Sequence, residues 1–263
     1  MKISIREEIK NLIAAVKTLD KKVVIIFLSV AIAQTVSYYY ASRKFFRNSF
    51  FIDYFSSDPN YGLYEYLYWF VSEFGVYILT AIIVIKILLK EKFRAYGFQF
   101  GDYKVGLKMT ALFLAVMLPL LWFASAMPDF SVKYPHLQMA KTDWTIFYVF
   151  EIGMFLYMVS WEFAWRGLML FGLEEKFGYY AVLIQMIPFL ILHNGKPVLE
   201  TFGAIPGGIA LGILALRTRS FYYCVLVHFG VMFSIDLIST LRFRAGDYGW
   251  GLNSVLHIIS NIF

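Results

Sequence analysis

Long apolar runs broken by short clusters of charge set the pattern of this chain. Val23 to Tyr40, Tyr66 to Leu89 and Gly106 to Ala126 are candidate spans, since a helix needs about 20 mainly apolar residues to cross a bilayer. Trp144 to Arg166 is a fourth. Tyr179 to His193 and Phe202 to Leu216 are shorter, and Phe221 to Leu241 closes the series. The pattern predicts an all-α polytopic membrane helix bundle of about seven spans, with the two short ones tilted, broken or buried in protein. Pro119 sits inside the third span as a tolerated kink.

Before the first span the periodicity changes. Ile5, Ile9, Leu12, Ile13 and Val16 recur at helical spacing among lysines and arginine, which predicts a basic amphipathic helix lying on the membrane surface. Acidic residues interrupt this stretch and no small-residue cleavage site stands out, so it reads poorly as a signal peptide. Four segments follow: a cytoplasmic surface helix (1–21), the N-terminal transmembrane helices (22–143), a core rich in buried polar residues (144–241) and an interfacial tail (242–263).

Basic residues orient the bundle. With the N-terminus inside, the inner segments hold Lys2, Arg6, Lys10, Lys17, Lys21, Lys22, Lys90, Lys92, Arg94, Lys104, Lys108, Arg166, Lys176, Arg217 and Arg219. The outer ones hold Arg43, Lys44, Arg47, Lys133, Lys141, Lys196, Arg242 and Arg244, so the asymmetry predicts a cytoplasmic N-terminus in the cell (plasma) membrane. Composition agrees: 16% charged and 60% hydrophobic residues stand far from the roughly 25% charge of a soluble domain. The net charge of +6 lies on residues flanking apolar runs, which points to membrane lipids as partners and not to nucleic acid. The single Cys224 rules out an internal disulfide framework and a cysteine metal site.

The spans carry residues that a bilayer disfavours. V-S-W-E-F-A-W-R-G-L places Glu162 and Arg166 four apart, and ionisable residues within a span face a bundle interior or a cavity. P-F-L-I-L-H ends at His193, and L-V-H-F-G-V-M holds His228, with Asp236 two turns on. One Glu and two His from three spans suit a general-base pair acting on water, or a zinc ion with an open position. Against this stand plain alternatives: an i,i+4 Glu/Arg pair is often only structural, and lone histidines often make interhelical hydrogen bonds. Glu73 and Glu151 read as structural or pore-lining. G-A-I-P-G-G-I-A-L-G-I-L-A, residues 203 to 215, lets helices approach closely and would draw the His193 and His228 helices together. No Lys-Ser/Thr follows these glycines, so they form no phosphate loop.

Taken together, these residues resemble the CPBP family of intramembrane endopeptidases (CAAX prenyl proteases and bacteriocin-processing, or Abi, proteins). That family's motifs are E-E-x-x-x-R, usually followed by Gly, then F-x-x-x-H and H-x-x-x-N. W-E-F-A-W-R-G supplies Glu162, Arg166 and Gly167; F-L-I-L-H supplies Phe189 and His193; the third motif supplies His228. The resemblance covers Trp144 to about Leu241 and implies hydrolysis of a peptide bond in a membrane-associated protein or peptide. It implies that Glu162 and His193 activate the water, that His228 polarises the carbonyl and that Arg166 orients Glu162. A metal-independent mechanism without cofactor is implied, with zinc left open by the residues themselves. Two positions depart: Trp161 replaces the first Glu of the pair, and Met232 replaces the Asn. The family's pattern gives the first Glu the main part in water activation, so a catalytically silent scaffold that binds a partner protein or lipid-linked peptide is the rival reading. A transporter would require inverted repeats, and none is seen.

Overall fold

The computed structural model describes residues 4–49 and 51–260, and the described residues are helical with connecting turns and no strand. In chain order the helices are α1 (Ile5–Lys17), α2 (Lys21–Tyr40), α3 (Arg43–Asn48), α4 (Phe51–Phe55), α5 (Tyr61–Ile82), α6 (Tyr103–Ala124) and α7 (Pro128–Lys133). They continue with α8 (Trp144–Glu162), α9 (Leu170–Phe177), α10 (Tyr180–Ile191), α11 (Val198–Thr218), α12 (Tyr222–Ala245) and α13 (Leu252–Ser260).

Aspartates start three of the spans. Asp20 accepts from Lys22 N and Val23 N, Asp102 from Val105 N, and Asp143 from Thr145 N and Ile146 N. Each satisfies amide donors that the first helical turn leaves free, at the point where the chain turns apolar. Pro119 lies inside an unbroken α6.

Among the described residues six helices are long and apolar enough to cross a membrane: Lys21–Asn48, Tyr61–Leu88, Tyr103–Ala124, Trp144–Phe177, Val198–Thr218 and Tyr222–Ala245. The seventh expected span is the short α10, whose 12 residues reach only about 18 Å at 1.5 Å per residue. The run 202–216 is no short span, because its helix begins earlier, just after Pro197. The fourth span passes Arg166 through a π-helical turn, Phe163–Met169, and carries on through α9 to Gly178, whose φ of +53° ends it. It is also the centre of the bundle: 61% of its most apolar stretch is buried, against 11% for α6.

Packing follows from aromatic side chains and glycines. Parallel α5 and α8 pair Tyr66 with Phe150 (ring centroids 5.1 Å apart) and Trp69 with Tyr157 (4.8 Å). Further along, Tyr77 and Ala164 share one apolar cluster. α11 lies on α10 through Gly208 and Gly212, where a methyl group would press on Met186, Phe189 and Val182. α12 packs against α6, α8 and α11. The apolar face of α1 (Ile5, Ile9, Leu12, Ile13, Val16) is exposed, and no residue of that helix is buried.

Candidate active site

Glu162 and Arg166 lie at the junction where α8 loosens into its π turn, a deviation often found at functional sites. Gly167 belongs to that geometry, because a Cβ there would collide with the ring of Phe163. Both charged side chains are fully buried. Arg166 Nη1 donates to Glu162 Oε1 at 3.0 Å, and His228 Nδ1 of α12 stands 2.6 Å from the same oxygen. Glu162 Oε2 and the Nε and Nη2 of Arg166 have no hydrogen-bond partner among the described residues. A buried charge is costly unless compensated; this carboxylate has two donors on one oxygen and its other oxygen free.

The F-x-x-x-H segment builds the opposite wall. The Phe189 ring lies under the Arg166 guanidinium, Cζ 4.1 Å from its centroid, a cation–π contact. Its carbonyl lies 2.7 Å from His193 Nδ1. A carbonyl only accepts, so Nδ1 carries the hydrogen and the neutral ring turns its lone pair out at Nε2. The rings of His193 and His228 lie 6.3 Å apart, inclined by 23°. Glu162, Arg166, His193 and His228 are thus gathered into one cluster. Within it the hydrogen bonds of Glu162 go to Arg166 and His228, while His193 bonds to its own helix.

Trp161 explains the division. Position 161 faces the second motif: the Trp161 ring is 6.4 Å from His193 and 6.2 Å from Phe189. A residue further on, about 100° round the helix, Glu162 faces α12 instead. A carboxylate at 161 would sit beside His193, and an indole occupies that place. Met232, one turn after His228, is buried and brings no hydrogen-bonding group. Among the described residues no group of three or more His, Cys, Asp or Glu is placed to hold a metal ion.

Residues that the motifs do not mark gather nearby. His136, in the loop after α7, gives its backbone N–H to Asp236 Oδ1 (3.2 Å) and sets Nδ1 3.3 Å from Oδ2. Glu151 of α8 is buried on the side turned to Asp236. Lys196 reaches Glu200 at 2.6 Å, and the Tyr134 hydroxyl bonds to Glu200 as well. A cavity of about 380 Å³ opens beside these groups, with Glu73, His136, Trp161, Leu192 and Lys196 in its wall. In sequence, His136 is one polar residue in an extramembrane loop, and only the apolar setting of Glu73 hinted at a role.

Residues 143–234 match the family model described as type II CAAX prenyl endopeptidase, Rce1-like. The matched segment runs from the cap of α8 to the residue two before Asp236, so it takes in all three motifs. No curated protein and no solved structure matches the chain. The family recognised from the motifs is the one this segment matches. It is a protease family, and with six membrane-length helices the chain is an integral membrane protein.

Proposed function

We propose that this protein is an intramembrane endopeptidase that hydrolyses a peptide bond in a membrane-associated protein or peptide, using water activated by glutamate and histidine. One observation carries the reading: a fully buried carboxylate, Glu162, is fixed by Arg166 and His228 yet keeps Oε2 free. Oε2, with the Nε2 lone pair of His193, takes a proton from the attacking water as general base. His228 polarises the carbonyl, and Arg166 holds the carboxylate in place. The reading needs neither metal nor cofactor. The enzyme would sit in the cell membrane with its N-terminus in the cytoplasm, a reading supported by the excess of basic residues in that half of the loops. The family's own activity, that of a CAAX prenyl endopeptidase, suggests the probe, a prenylated peptide ending in a CAAX sequence.

Purified protein in nanodiscs should cut such a peptide, with and without chelator, and take heavy oxygen from labelled water into the new carboxyl group. Glu162→Gln keeps the shape and removes the base, so turnover should fall about 10²–10⁴-fold. Cleavage undiminished in that variant would remove Glu162 from the mechanism. Loss of cleavage with chelator, or stoichiometric zinc in the purified protein, would replace the metal-free reading.

Trp161 and Met232 favour a second reading, a silent scaffold that holds a partner protein or lipid-linked peptide in the same place. It expects no cleavage by the parent protein and unchanged partner binding in Glu162→Gln.

A further inference from the structure

Glu73 is a buried carboxyl group that the motif chemistry leaves unused. It lies in α5, 7% exposed, in the wall of the cavity that Trp161 also lines. Ser37 of α2 donates to Oε1 at 2.5 Å and the Trp69 indole flanks the group one turn back, while Oε2 has no hydrogen-bond partner. Of the other buried carboxyls outside the motifs, Glu65 is taken by Arg43, Glu200 by Lys196 and Tyr134, and Asp236 by His136, while Glu151 lacks a hydrogen bond among the described residues but stands outside the cavity wall.

Depth is the second observation. α5 and α8 run in step, from Tyr66 against Phe150, through Trp69 against Tyr157, to Tyr77 beside Ala164. Continuing that register sets Glu73 level with Ser160 and Trp161, one residue from Glu162. The carboxyl absent from position 161 of α8 therefore has a counterpart at the same depth on the neighbouring helix, facing the same cavity.

The two groups have opposite surroundings. Glu162 has a guanidinium and an imidazole on one oxygen. Glu73 has a hydroxyl and an indole, and no ion-pair partner among the described residues. Two carboxyls in such contrasted settings divide acid from base work. Resting on the protease reading above, we propose that Glu73 is the proton donor to the leaving nitrogen of the scissile bond. Water gives a proton to Glu162 as its oxygen bonds to the carbonyl carbon. The C–N bond then breaks as Glu73 Oε2 passes its proton to the nitrogen, which departs as an amine. The proton held by Glu162 returns to Glu73 by way of water admitted as the products leave, and a new carboxyl terminus is released.

An acid of this kind matters only when the leaving group needs a proton. The test compares the prenylated CAAX peptide with its depsipeptide, in which an ester replaces the scissile amide, for the parent protein, Glu73→Gln and Glu73→Asp in nanodiscs. Gln is neutral, keeps the acceptor for Ser37 and suits a buried site. Glu73→Gln should cut amide hydrolysis about 10²–10⁴-fold and leave ester hydrolysis within about threefold, with part of the amide activity kept by Asp. Equal losses on both bonds, or none on the amide, would overturn the assignment while the protease reading stands. If the parent cuts neither substrate, the protease reading falls and this assignment with it.

Discussion

Two of the polar clusters inside this bundle are built differently. The first joins Glu162, Arg166 and His228 around one carboxylate oxygen, with both charged residues of α8 fully buried. The second joins Asp236 of α12 to His136 of an extramembrane loop, with Glu151 of α8 buried on the same side and neither of its oxygens hydrogen-bonded among the described residues. The first holds a permanent cation; the second has only a histidine to offset its carboxyls. A cation that is always charged fixes a carboxylate as an anion and makes its partner costly to remove. The second cluster reads as a clasp that ties the loop before α8 to α12. Each removal of a partner is a way to break this contrast.

The largest effect is expected at Arg166. Arg166→Leu strands a buried carboxylate, and losing one partner of a buried ion pair typically costs about 3–5 kcal/mol. Denaturant unfolding in mixed micelles should show it, together with loss of cleavage. His136→Ala leaves the Asp236 carboxylate with the loop's backbone N–H alone, a loss of about 1–3 kcal/mol, and it should spare the chemistry. If His136→Ala destabilises as much as Arg166→Leu, the contrast between the clusters is lost. Glu151→Gln should leave cleavage unchanged and unfolding within about 1 kcal/mol, since no cation depends on it.

The smallest effect belongs outside the spans. Asp247, after α12, is held below the usual carboxylate range first by the Gly249 N–H, then by the Ser254 hydroxyl and by His257. A depressed carboxyl stabilises the folded form above its unfolded value, about 3.9, and that contribution disappears as pH falls through the folded value. Trp250 fluorescence should therefore report loosening of the tail only below that range. Asp247→Asn should flatten the response, and an unchanged acid transition in the variant would assign it to another group.

How much of this was legible in the sequence depends on distance along the chain. The Glu162/Arg166 contact was visible because four residues make one helical turn. The apolar runs gave the helical membrane class, since backbone groups in lipid must be satisfied within the segment. The shortness of α10 was visible too. The full length of α11 was not, because its first turn, after Pro197, is polar enough to resemble a loop. The fourth span was cut short at Arg166 because an arginine resembles a boundary when the packing that buries it is unknown. The pairing of Glu162 with His228 joins residues 66 apart, and no local periodicity encodes it. Glu73 read only as structural or pore-lining. Its place beside Trp161 arises from the register of α5 on α8, set by aromatic contacts far apart in the chain.

The π turn at Phe163–Met169 has one further consequence. Such a turn holds one residue more than the α turn it replaces, so it acts as a tolerated insertion within a continuous rod. Upstream, α8 is phased against α5 by Phe150 and Tyr157; downstream, Gly172 of α9 is phased against Ile26 of α2. Two independent registrations meet in one helix, and the spare residue reconciles them. The slack falls between Glu162 and the rest of the rod, so the motif sits on a mechanical joint. Reaction geometry there can be adjusted without disturbing how either half is seated.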